Sequence, residues 1–469
     1  MRYISTRGRA PELSFDEVLL AGLARDGGLY VPAVWPKFSA NDLRALRGLP
    51  YDEIATRVML PFIGDTIPEA DFANIVAEAY AGFDHDAVTP MRQLDHNTWM
   101  MELFRGPTLA FKDVALQLLG RLFDYFLTKR GERVTIVGAT SGDTGSAAID
   151  ACRDRDSIDI FILHPHGRTS DVQRRQMTTV DSTNVKNIAV EGTFDDCQDI
   201  VKAMFNDPQF RDEVNLSAVN SINWARVMAQ IVYYVYAGVS LGAPDRPVSF
   251  AVPTGNFGNV FAAYGAKEIG LPIEQLIIGS NSNDILTRFF KHNDMSMADV
   301  APSFSPSMDI QISSNFERLL FDLFDRDGEE VNRVMQQFRI SGKLDLPTER
   351  WQRTKDLFAS HSLNDDETLA AIGGIFDSTG ELVDPHTAVG IVAGWTQRKN
   401  LDTPLVCMAT AHPAKFPDAV AKATGKTPAL PEHLADLFDR EEHYEVMENS
   451  IEAIQDRVRK SNRTGKETV

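Results

Sequence analysis

The chain has 469 residues, and its 47 basic against 66 acidic side chains leave a formal net charge of −19. At roughly 150 residues per domain that length implies two or three domains, and the acidic surplus opposes long-range attraction to nucleic acid or an anionic membrane, so a phosphate or carboxylate ligand must be held by local donors. Cys152, Cys197 and Cys407 are widely spaced with no CxxC pair, which argues against a disulfide framework or a thiolate metal site and fits a reducing compartment. The opening Met1–Arg7 lacks the apolar stretch of a signal peptide, and no run approaches the roughly 18 apolar residues of a membrane span. A cytoplasmic protein that handles small molecules, without nucleic acid or membrane as partner and either monomeric or homodimeric, is the expectation.

Residues 1–95 read as a mainly helical, mixed N-terminal domain. From Val114 to about Leu127 the apolar residues Ala115, Leu118, Leu119, Leu122, Phe123 and Phe126 recur at helical spacing, and Lys129-Arg130-Gly131 supplies the stop. Lys112 therefore stands at a helix entrance. A β-rich run, Arg133 to Val137, leads through Gly138–Gly145 into an Ala-rich helical stretch. The alternation returns with a strand over 158–163 and a helix over 171–179, then a strand over 185–190 and a helix over 194–205. After a long helix around 222–241 comes a second series: strand 248–252, turn 253–259, helix 260–269. Such βα alternation implies a mostly parallel sheet covered by helices. Residues 290–365 are charged and helix-prone with few strand signals, Pro404–Met408 is strand-like, and the tail beyond Glu441 is polar enough to fray.

Four segments carry candidate chemistry. In the first, Pro107-Thr108-Leu109-Ala110-Phe111-Lys112-Asp113, a lysine follows a largely apolar turn. A lysine among apolar neighbours sheds its proton more readily and can form an imine, whereas a Lys-Asp pair at a helix start is ordinarily a solvated cap. The second, Thr140-Ser141-Gly142-Asp143-Thr144-Gly145, lies between a strand end and a helix N-terminus, where backbone N–H groups and hydroxyls suit a carboxylate or phosphate. An ordinary capped βα turn has the same composition. It is neither a P-loop nor a GxGxxG turn. The third, Gly255-Asn256-Phe257-Gly258-Asn259, repeats that arrangement after a second strand, so the chain offers two anion cradles. The fourth, Cys407–Phe416, places Thr410 at the C-terminal end of a strand, where α/β proteins put ligand contacts, although an incidental Thr and His would read the same. His85, His164 and His166 have no metal-ligand spacing, and no Gly-x-Ser-x-Gly elbow occurs.

Together the segments PTLAFKD, ATSGDTGSAA, NSIN, PTGNFGN and ATAHPAKF resemble threonine synthase, a family of fold-type II enzymes that use pyridoxal 5′-phosphate (PLP). The resemblance runs from the Tyr3-to-Pro32 region to about Phe416. It implies an α/β fold of the tryptophan synthase β type, with two three-layer units of parallel-rich sheet plus the N-terminal domain. The large PLP-binding domain would comprise 96–130 and 221–469, with a helical insertion at about 290–365, and the small domain would be 131–220. It further implies PLP bound through Lys112, its phosphate cradled by Gly255, Asn256, Phe257, Gly258 and Asn259, and its ring nitrogen faced by Thr410. The substrate carboxylate would be received by the loop Thr140, Ser141, Gly142, Asp143, Thr144 and Gly145. Asn220, Ser221, Asn223, Arg226 and Lys415 are candidates for the substrate phosphate. The implied reaction converts O-phospho-L-homoserine and water into L-threonine and phosphate, with Lys112 carrying protons and the released phosphate helping to orient the water. A threonine or serine dehydratase of the same fold type, and a non-catalytic binding protein for an amino acid or nucleotide, are the competing readings.

Overall fold

The computed structural model describes residues 1–217 and 220–463. They form two compact units: one from Met1–Ala77, Phe83–Arg105 and Ser221–Pro428, the other from Glu78–Gly82 and the described residues of Gly106–Asn220 and Ala429–Val469.

The first unit is built on a six-stranded sheet in the order Phe358–Ser362, Ile273–Ser280, Val248–Pro253, Leu405–Ala409, Thr98–Glu102, Met91–Gln93. All neighbours are parallel except the last pair. Strand alternation sends Ala251 and Phe250 to opposite faces. Ala251 joins Ile277, Cys407 and Ala409 in a core closed by Ile372, Ile375, Ala388 and Ile391 of the helices Asp365–Thr379 and Pro385–Gln397. Phe250 meets the ring of Tyr234, from the helix Trp224–Ser240, at 4.8 Å. Both faces are thus covered, as a parallel sheet requires. The N-terminal residues belong to this unit: the Trp224 ring packs at a tilt or edge-on against Tyr3 and Trp35 at 5.8 Å each and against Phe62 at 5.9 Å.

The second unit carries five parallel strands in the order Glu445–Glu448, Val185–Glu191, Ile158–Pro165, Val134–Ala139, Leu216–Ser217. Val137, Phe161, Leu163, Ile188 and Val190 pack against Cys197, Ile200, Met204, Ile454 and Val458 of the helices Phe194–Asn206 and Ile451–Ser461. The helices Lys112–Arg130 and Asp143–Cys152 cross so closely that a Cβ on Gly120 would lie 2.3 Å from the Ala151 carbonyl oxygen.

Two expectations need correction. The tail beyond Glu441 does not fray through 463: Glu445–Glu448 pairs in parallel with Ile188–Glu191, and Ile454 and Val458 are fully buried. Its strand is four residues of mostly exposed side chains and its helix buries one narrow stripe, so no periodic run announced either; residues 464–469 lie outside the described residues. The segment 290–365 is not strand-poor throughout, because Phe358–Ser362 forms a sheet edge on Leu276–Ser280. Its polar Phe-Ala-Ser-His-Ser sequence fits an edge, where half the pairing is absent. Residues 1–77 pack with 221–428 around the Trp224 cluster, and the Lys112–Arg130 helix shares a compact unit with 134–217, packing there at Gly120.

Candidate active site

In the second unit the turn before Lys112 is closed by Asp113, which is fully buried. Its carboxylate accepts the Thr108 amide at 2.8 Å and the Thr108 hydroxyl at 2.6 Å. A Cβ on Gly106 would come within 2.5 Å of Asp113, so only glycine lets this turn shut. Lys112 follows as the first helical residue, 8% exposed. Its Nζ lies 3.2 Å from Asp143 Oδ2 and 5.1 Å from the centre of the Phe111 ring. A solvated cap is excluded by that burial: the lysine sits among aromatic and carboxylate groups, not in water.

The loop after Val134–Ala139 is sealed by its own side chains. Thr140 Oγ1 accepts the amides of Gly142 at 3.0 Å and Gly145 at 2.9 Å. Gly142 has φ 151° and ψ −85°, a conformation side chains resist, and a Cβ there would strike the Gln173 amide at 2.5 Å. Asp143, buried, gives one oxygen to Lys112 and the other to Gln173 Nε2 at 2.8 Å. Ser141 is exposed and Thr144 half-buried, which leaves those two hydroxyls best suited to meet a ligand.

In the first unit Val248–Pro253 ends in the second cradle. Phe257 adopts a left-handed conformation (φ 64°) immediately before the helix Gly258–Glu268. Phe257 itself is buried, its ring stacked edge-on against Phe316 at 5.2 Å. Amides of a first helical turn have no intrahelical acceptor and favour an anion. A Cβ on Gly255 would lie 2.7 Å from the Ser307 carbonyl oxygen, and one on Gly258 3.2 Å from Asn315. Asn256 donates to Ser221 Oγ at 3.2 Å, and Asn315 donates to the carbonyls of Ser221 and Asn256, each at 3.1 Å. Ser313 donates to the Gly255 carbonyl at 2.5 Å. Ser221 and the Gly-Asn-Phe-Gly-Asn segment are therefore one assembly, joined through Asn256 and Asn315.

Asn259 is buried, and its Oδ1 accepts the hydroxyls of Tyr233 and Tyr234 at 2.6 Å each. Its Nδ2 is buried without an acceptor among the described residues, as is Nη1 of Arg226. Burial pulls the Arg226 guanidinium down to about 10, with Tyr233 opposing the shift. A buried cation and a buried amide donor lacking acceptors fit an anion better than they fit an apolar core. Asn223 differs: it caps the helix Trp224–Ser240 through the Ala225 amide and donates to the Leu19 carbonyl at 2.8 Å, so its side chain is committed to backbone. Asn220 is half-buried. Thr410 is buried directly after Leu405–Ala409, and Lys415 is fully buried in the short turn Pro413–Lys415.

Several participants carry no signal in the sequence. Ser313 and Asn315 come from the 290–365 segment, which reads as an appendage. Ser307, whose carbonyl walls Gly255, donates its amide to His386 Nε2 at 3.2 Å, while His386 Nδ1 lies 2.6 Å from Asp384 Oδ2. His386 is thus a strut between Asp384 and the wall. Only Asp384, as the cap before Pro385, was open to recognition as a helix start.

The residues 83–410 match the family profile described as pyridoxal-phosphate dependent enzyme, residues 2–80 that of the threonine synthase N terminus, and residues 387–458 that of the threonine synthase C-terminal region. The chain is 57% identical over 467 residues to a threonine synthase of Pseudomonas aeruginosa, covering 99% of this chain and 100% of that one. The chain belongs to the threonine synthase family. A second member of the threonine synthase family, from Saccharomyces cerevisiae, is 42% identical over 96% of this chain and 97% of its own. The PLP-bound crystal structure of threonine synthase from Brucella melitensis superposes with a TM-score of 0.97 at 54% identity, over 99% of this chain and 100% of that chain. The fold is therefore that of fold-type II PLP enzymes. In the first unit the glycine cradle and the Asn259 amide nitrogen, without an acceptor among the described residues, fit a phosphate group; in the second, the buried lysine fits an aldehyde-bearing cofactor.

Proposed function

We propose that this protein converts O-phospho-L-homoserine and water into L-threonine and phosphate, with Lys112 as the residue that binds PLP. The single observation carrying the reading is a buried lysine beside the Ser-Gly-Asp-Thr-Gly loop in a chain that is a threonine synthase relative over its whole length. PLP, when bound, supplies an electron sink that acidifies substrate carbons. The chain supplies the rest. Gly255–Asn259 would hold the cofactor phosphate on backbone amides, and Thr410 would offer its hydroxyl, in place of a carboxylate, to the ring nitrogen. Ser141 and Thr144, with the amides of their loop, receive the substrate carboxylate. Arg226, Lys415, Asn220 and Ser221 are the donors for the substrate phosphate, a dianion suited to Arg and Lys; Asn223 serves by shaping the helix start. Lys112 would move protons at the substrate α carbon and along the substrate to the γ carbon. Burial of Lys112 and Asp143 limits bulk water around those transfers.

The purified protein incubated with O-phosphohomoserine should release phosphate and threonine in equal amounts. Formation of 2-oxobutyrate from threonine, or pyruvate from serine, without phosphate release from O-phosphohomoserine would instead make it a dehydratase. A protein that stays colourless with added PLP would be a binding protein only. No helix among the described residues is long and apolar enough to cross a membrane. We place the enzyme in the cytoplasm because Cys152, Cys197 and Cys407 are all buried and free, an arrangement kept by reducing conditions. Sedimentation distinguishes monomer from homodimer.

A further inference from the structure

The helix Asp171–Thr178 of the second unit touches both elements that present Lys112. Gln173, 7% exposed, has its amide fixed at both ends: Oε1 accepts the Ser170 hydroxyl at 2.9 Å and Nε2 donates to Asp143 at 2.8 Å. Asp143 in turn receives Lys112. One helical turn later Gln176 donates to the Thr108 carbonyl at 3.1 Å, inside the turn that delivers Lys112. Met177 fills the space a side chain at Gly145 would need.

The far side of the same helix is anchored by the C-terminal segment. Arg174 donates to Glu442 at 2.9 Å, the Thr178 hydroxyl donates to Glu442 at 2.7 Å, and the His443 amide donates to the Thr178 carbonyl at 2.5 Å. Val172 packs with Leu109, Leu434 and Leu437 in a small buried cluster. The helix is thus held from behind while its polar face grips the lysine's surroundings.

We propose that Gln173 is a positioning residue for Lys112, acting through Asp143: it fixes the carboxylate that receives the lysine Nζ, and the C-terminal segment keeps it in place. This rests on the reading of Lys112 as the residue that binds PLP. A charged hydrogen-bond acceptor with one oxygen pinned has a single orientation, and loss of the pin lets Asp143 rotate and Lys112 leave its line of approach. In cofactor loading the neutral amine of Lys112, its proton given to solvent, forms a C–N bond to the PLP aldehyde carbon, and the carbonyl oxygen leaves as water. The rate of that step reports amine placement directly.

The test uses the full-length protein stripped of cofactor, mixed with PLP in a stopped-flow spectrometer, for wild type, Gln173→Leu and Lys112→Ala. Wild type should develop a visible absorbance that Lys112→Ala lacks. Gln173→Leu should develop it about tenfold more slowly, with a displaced maximum and an unchanged melting temperature, and kcat should fall while KM stays within about twofold. Gln173→Met, which keeps the length of the stem, replaces Gln173→Leu if the latter does not fold, and Gln173→Glu, which sets a second carboxylate against Asp143, should slow loading further. Wild-type loading rate and spectrum in folded Gln173→Leu or Gln173→Met would overturn the proposal while leaving Lys112 as the PLP residue. An absorbance unaffected by Lys112→Ala would instead overturn the reading on which it rests.

Discussion

The two glycine loops look alike in sequence and are built on opposite principles. In Thr140–Gly145 the loop amides at Gly142 and Gly145 are satisfied by Thr140, and glycine at 142 is required by backbone conformation and by a side chain, Gln173. In Gly255–Asn259 the glycine at 255 is required by backbone, because the Ser307 carbonyl stands where its Cβ would go, while at 258 the neighbour is the Asn315 side chain. The first wall is a side chain held by its hydrogen bonds to Ser170 and Asp143, whereas the second is backbone, with the Ser307 amide held by His386. That difference suits the proposed division, in which Gly255–Asn259 would hold a resident cofactor and Thr140–Gly145 a substrate that comes and goes.

Four substitutions probe that division. Lys112→Ala should have the largest effect, a loss of about 10³-fold or more in kcat together with the visible PLP absorbance, because neither loop can substitute for the amine. Gly255→Ala should weaken PLP by about 10- to 100-fold, the roughly 1–3 kcal/mol of an overpacked contact, read by equilibrium dialysis. Gly142→Ala should cost about 1–3 kcal/mol of stability from its backbone conformation, seen by denaturant titration, and lower kcat/KM while PLP affinity stays within about twofold of wild type. If it weakens PLP as much as Gly255→Ala does, the two loops do not divide their work as described. Arg226→Met should be the mildest for the fold: removal of a buried cation without a carboxylate partner leaves the melting temperature equal or raised, while KM for the phosphorylated substrate rises. A lowered melting temperature with unchanged KM would mark Arg226 as structural.

The comparison also shows where sequence stops being informative. Lys112, the Thr140–Gly145 loop and the Gly255–Asn259 loop were legible because helix entrances and glycine-rich strand–helix turns leave local signatures. The parallel strands from Val134 to Glu191 were legible as apolar runs. Ser313, Asn315, His386 and Gln173 were not, since a polar residue that contacts a loop 30 or more positions away has no local pattern to betray it. The cap made by Asn223 was hidden for the same reason: the NSIN wording shows a polar residue, but only the Leu19 carbonyl and Ala225 amide reveal that it caps a helix.

Local sequence by itself determined the alternation of strands and helices, the two cradles and the lysine, because backbone conformation and apolar periodicity are short-range properties. Tertiary structure alone decided that the polar tail becomes the fifth strand and a packed helix, that Lys112 is buried against Asp143 and not solvated, and that the Ser313–Asn315 stretch walls a cradle. Each depends on partners distant in the chain, and the stability of a lone edge strand or a buried ion pair exists only once those partners are in place.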